Sequence, residues 1–158
     1  MKFEHIVEIN HPDIPPQQQL TLTQLWHGLV LRATAPKLFI PHLDACQITP
    51  IDEHNMQRTL QFGKLMVRDQ VTLTPHQCVS YNVPAQGEIP ESSLNMHIES
   101  PHETIMIVRF IYDDYQAETA DPTQKMANDF RRSAYLEADL DTVRVIREQA
   151  LSGQFQQH

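Results

Sequence analysis

The chain has 158 residues, enough for one domain with a substantial core and short for two. Twenty acidic residues against twelve Lys and Arg leave a formal net charge of -8, and no basic cluster interrupts it, which excludes binding to a nucleic-acid backbone as the main role. Charges break up the apolar positions of MKFEHIVEIN before any signal-peptide core can form, and no apolar run is long enough to cross a bilayer, so the sequence reads as a soluble, cytoplasmic protein without a membrane span.

Residues 2–10 alternate, with Phe3, His5, Val7 and Ile9 on one side, as in a strand with one exposed face. Pro12, Pro15 and Pro16 then make a loop. Thr21 or Thr23 can cap a helix with Leu25, Trp26, Leu29, Val30 and Ala33 on its apolar face, and Pro36 ends it. A short helical turn is expected over 37–40. From Leu43 to Tyr112 the period becomes two, giving candidate strands over 46–51, 55–62, 65–73, 77–83, 92–99 and 104–112. The separators are too short for parallel crossovers, so the strands form an antiparallel meander.

The run from Asp121 to Gly153 carries helix signals at both ends: Asp121 as N-cap, Pro122 at the first position, Gln124 as the capping-box acceptor and Gly153 past the end. At 1.5 Å per residue this helix is about 45 Å long and needs a broad partner. At about 100° per residue, Met126, Phe130 and Ala134 point one way, and Leu136, Leu140, Val143, Ile146 and Ala150 another. The second set is expected to be the packing face, with Glu137 and Asp141 opposite. Strand, helix, six strands and long helix give an α+β fold: a curved seven-stranded antiparallel sheet with the long helix across its concave face, leaving an elongated internal cavity.

The blocks FEHIVEIN, LTLTQLWHGLVLRA, APKLFIPHLDAC, LQFGKLMVRDQVTL, IVRFIY and SAYLEADLDTVRVIRE resemble an AtaL-like, domain-of-unknown-function subgroup of the START-like superfamily, also called SRPBCC or Bet v 1-like. The likeness runs over nearly the whole chain and implies one START-like domain over 1–158 with a helix-grip fold around an apolar pocket. Members of the superfamily bind lipids or hormones, cyclise polyketides or perform more elaborate chemistry, so the fold does not assign a reaction.

The candidate ligand-binding residues follow from strand parity. Arg58 is in phase with Met56, Leu60 and Phe62, and Asp69 with Val67, Val71 and Leu73, which allows a buried Arg58–Asp69 pair or two separate surface charges. In the late strands Met96 is in phase with Leu94 and Ile98, and Val108, Phe110 and Tyr112 with Met106; both sets are assigned to the cavity. Tyr81, Tyr135 and Phe130 complete the list. A ligand-binding protein would use an Arg to hold a carboxylate, phenolate or enolate oxygen of an apolar or aromatic molecule. A polyketide cyclase, aromatase or dehydratase would use the same cation for charge developing on a carbonyl oxygen, with Tyr81, Tyr112 or Tyr135 moving protons. A third reading is a partner-binding module or homodimer built on Ile105, Ile107 and Ile111.

No cofactor is expected, since the dinucleotide and P-loop fingerprints and the GxSxG elbow are all missing. The nine His residues contain no HExxH, and a metal is not expected. Cys46 and Cys78 read as buried, reduced thiols in strands.

Overall fold

The structure, a computed structural model, describes residues 1–153. Seven strands form one antiparallel sheet: β1 (Lys2–Asn10), β2 (Ala45–Pro50), β3 (Asn55–Phe62), β4 (Leu65–Thr74), β5 (Cys78–Val83), β6 (Ser92–His102) and β7 (Ile105–Asp113). Their order is β1-β7-β6-β5-β4-β3-β2, so every neighbour pair except β1 and β7 is a sequential hairpin. The two-residue turn between β3 and β4 begins at Gly63, whose φ of 60° lies in the left-handed region that a side chain disfavours. Helix α1 (Leu22–Thr34) starts in a full capping box between Thr21 and Gln24, and a short 3-10 turn follows over Pro36–Leu38.

Helix α2 (Pro122–Leu151) is capped by Asp121, which accepts from the Thr123 amide. The expected capping-box role of Gln124 is not made, because its side chain donates to Asn128 instead. Gly153 follows the helix with φ 88°, and its N–H donates to the Ala150 carbonyl. Together α1 and α2 occupy the concave face, giving the helix-grip arrangement. No described helix is long and apolar enough to cross a membrane.

The core explains where the space goes. Leu25 and Leu29 of α1, Ile146 of α2, and Val71, Val79, Met96, Val108 and Phe110 of the sheet are fully buried in one cluster. The two helices approach closely at Gly28, where an added Cβ would fall 2.3 Å from Ile146 Cγ2. Because α1 and the second half of α2 fill that end, the interior is packed there. The elongated cavity inferred from the sequence contracts to a smaller one toward β1 and the first half of α2.

The packing face of α2 also differs from the sequence reading. Its buried residues are Asn128, Asp139, Thr142, Val143, Ile146 and Ala150, while Leu136 and Leu140 are exposed. Steps of three and four residues run back from Ile146 through Val143 and Thr142 to Asp139, not to Leu140. A carboxylate therefore stands where an apolar residue was expected. On the outer face of β7, Ile107 is buried and Ile105 and Ile111 are half-buried, so they form no exposed apolar patch. Cys78 is buried and Cys46 only half-buried; both are free thiols.

Candidate functional site

The inner cavity has a volume of about 250 Å³ and is walled by Phe3 of β1, Arg32 of α1, Arg58, Asp69, Tyr81 and Leu94 of the sheet, Tyr112 of β7 and Tyr135 of α2. A larger recess of about 450 Å³ lies over β3 to β5; Arg58 and Asp69 border it too, but Gln57, Thr59, Arg68, Gln70 and Asn82 in its wall come from the opposite strand parity. The smaller cavity collects the buried ionisable groups and the aromatic rings, and it is the candidate site.

Arg58 and Asp69 are direct partners across β3 and β4. Arg58 Nε donates to Asp69 Oδ1 at 2.9 Å and one terminal nitrogen to Oδ2 at 2.5 Å, a two-pronged contact that fits the planar guanidinium. The other terminal nitrogen donates to the Ala33 carbonyl at the end of α1, at 3.0 Å. Burial works against the Arg58 charge, but the hydrogen bonds and charge of Asp69 outweigh it and hold the guanidinium above its usual value. Tyr81 lies beneath this pair. Both Arg58 and Arg32 place their guanidinium carbons 5.0 Å from its ring centroid. The Tyr81 hydroxyl is buried and has no hydrogen-bond partner among the described residues.

A second polar group closes the opposite wall. Tyr112 donates its hydroxyl toward Asp139, with both carboxylate oxygens 2.8 Å away. His5 Nε2 is 2.7 Å from Asp139 Oδ2 but is not aligned for a hydrogen bond. Burial pushes the Asp139 carboxyl above its ordinary value, against the Tyr112 hydrogen bond and the charges of His5 and Arg32. Burial, then the charge and hydrogen bond of Asp139, push the Tyr112 phenol far up, so it stays protonated at any physiological pH. The Tyr112 ring stacks on Tyr135 at 4.0 Å between centroids.

The structure thus brings together Arg58, Asp69, Tyr81, Tyr112 and Tyr135. Met96, Val108 and Phe110 share the inner face but are fully buried in the core behind the cavity, where they support the wall rather than form it. Phe62 sits half-buried at the end of β3, outside the lining. Phe130 is misplaced in the sequence reading: it is 71% exposed on α2, because the helix turns Asn128, not Phe130, inward. Sequence reasoning missed Arg32, His5 and Asp139. Of these only His5 carried a signal, its place in phase with Phe3 and Val7. Among the described residues no group of three or more His, Cys, Asp or Glu could hold a metal ion.

The model of the family described as acetylaranotin biosynthesis cluster protein L (AtaL) matches residues 5–153. The chain belongs to this AtaL family. No curated protein matches it in sequence. Among solved structures, the di-domain ARO/CYC StfQ from the steffimycin biosynthetic pathway superposes with a TM-score of 0.68 at 10% identity over 93% of this chain. This AtaL-family chain spans about half the length of that protein, 50%. The Zhui aromatase/cyclase from a Streptomyces species gives a TM-score of 0.58 at 15% identity, covering 94% of each chain. Ara h 8.0201 gives 0.59 at 10% identity, covering 97% of this chain and 99% of its own. At such identities these likenesses establish a shared fold, one that aromatase/cyclase domains also take.

Proposed function

We propose that the protein is a cyclase or aromatase-like enzyme acting on a compact polyketide-like substrate with several carbonyl groups. The observation that carries this reading is the pairing of hydrogen-bond donors with a buried acid around one small cavity: Arg32 and Tyr81 on one wall, Tyr112 backed by Asp139 on the other. Membership of the AtaL family and the fold shared with aromatase/cyclase domains support it.

In such a reaction the proton on the carbon between two carbonyls passes to water, the enolate carbon attacks a second carbonyl within the same chain, and the new alkoxide takes a proton back. Loss of one water then gives the unsaturated ring, and no oxidant is needed. Cationic donors lower the energy of the enolate oxygen. Burial favours the protonated form of Asp139, so the Tyr112 hydroxyl suits the role of relay: it passes its proton to the alkoxide as the Asp139 carboxyl replaces it, and no phenolate is left beside a carboxylate. The volume of about 250 Å³ lies below the usual range for drug-sized ligands, which favours one or two rings over a long folded chain.

The test is turnover. A short poly-β-ketone presented as a thioester should lose one water and gain ring absorbance with the wild type, and do so at least about tenfold more slowly with Tyr112→Phe. No turnover by wild type, with retained binding of aromatic ligands, would replace this reading with that of a binding protein for a small apolar or aromatic molecule. One observation favours that second reading: both oxygens of Asp139 face Tyr112, so no free carboxylate stands at that wall as a base.

A further inference from the structure

The charged groups around the cavity are not equally free to meet a ligand. Arg58 has its donors committed to Asp69 and to the Ala33 carbonyl. Asp114 is held by the Met1 amino group and by Arg131, and Asp113 lies 3.6 Å from the same amino group. Asp139 has both oxygens facing the Tyr112 hydroxyl. Arg32 stands apart. Its one hydrogen bond among the described residues is a long contact from Nε to Thr142 Oγ1, 3.4 Å, which leaves both terminal nitrogens with their donors unspent.

Arg32 also lies over the Tyr81 ring, whose hydroxyl is the one unpartnered buried hydroxyl among the described residues. Tyr81 is only 4% exposed, and a buried hydroxyl without a partner costs free energy until something pairs with it. Both unspent groups line the same cavity, and both offer protons. Their complement is an oxygen that only accepts. A carboxylate or phenolate meets that need, and the planar guanidinium can hold it through two parallel bonds.

We infer that Arg32, with the Tyr81 hydroxyl beside it, is the ligand-recognition pair of the cavity, selecting a compact aromatic molecule that carries one anionic oxygen group, while the buried Arg58–Asp69 pair acts as a positioning element for Tyr81. This rests on the reading of the inner cavity as the ligand site, though not on turnover. It assigns recognition to an α1 residue rather than to the strand arginine that the sequence put first.

The experiment titrates naphthoate and its neutral, near-isosteric amide, naphthamide, into wild type and into Arg32→Gln. Wild type should bind naphthoate roughly tenfold or more tightly than naphthamide. In Arg32→Gln that preference should vanish, chiefly through loss of naphthoate affinity. In the wild type itself, naphthoate should move the Arg32 Nε–H resonance and leave that of Arg58 in place, a readout that stands even where the variant folds poorly. Equal affinity for the two probes, or an unmoved Arg32 resonance at saturating naphthoate, overturns the inference and leaves the cavity reading intact. Binding of neither probe overturns both.

Discussion

Tyr112 points its one hydroxyl proton between the two oxygens of Asp139, a carboxylate with no exposed surface midway along α2. Burial raises the Asp139 value above the ordinary 3.8, so the folded chain holds this proton more tightly than the unfolded one. The sign follows: the contribution of this group to stability is greatest in acid and falls as pH rises from 3.8 through the raised folded value. Asp139→Asn should therefore gain melting temperature relative to wild type across that interval and match it more closely below. Asp114, lowered to about 2 by the Met1 amino group, Gln116 and Arg131 against its own burial, acts in the opposite sense at lower pH, but equally in both proteins. A difference in melting temperature that stays flat from acid to neutral pH would show that Asp139 is not perturbed.

Breaking one half of the Arg58–Asp69 pair leaves an uncompensated charge in the interior. Arg58→Met or Asp69→Leu alone should each cost about 3–5 kcal/mol in urea unfolding, whereas the double replacement should cost much less than their sum. Additive losses would mean that the two side chains are not coupled.

Gly28 lies where the two helices meet closely. Gly28→Ala should lose about 1–3 kcal/mol, since its Cβ would overlap Ile146. Pairing it with Ile146→Ala, which alone opens a cavity and costs about 2–5 kcal/mol, should recover part of the loss. No recovery in the double variant would place the strain elsewhere.

Phe130 is a control. Its ring is solvent-exposed, so Phe130→Ser should change stability by no more than about 0.5 kcal/mol and leave naphthoate binding as it was. A large loss of either would return Phe130 to the site.

The strands were legible because alternation is a direct print of one buried face: β1 and β3 begin and end where the pattern said, and the inner sets through Arg58, Asp69 and Tyr112 have the expected parity. The α2 face was not. A two-letter pattern assigns a carboxylate to water, and Asp139 is inside because Tyr112 and His5, more than a hundred positions apart in sequence, meet it there. Arg32 was hidden for a related reason. It lies at the end of the apolar stripe of α1, and no local pattern shows that Tyr81, on a strand far along the chain, comes to lie 5.0 Å from it.

The seam between β1 and β7 joins segments about a hundred residues apart in sequence, with Phe3 directly opposite Tyr112. All other strand pairs are local hairpins that can form early, whereas this one must close a loop of about a hundred residues. One wall of the cavity is built across that last junction. Refolding should accordingly pass through a stage in which the hairpins are in place and the chain already protects its central amides, yet has no affinity for any ligand, and recognition should arrive all at once, in the slowest kinetic phase.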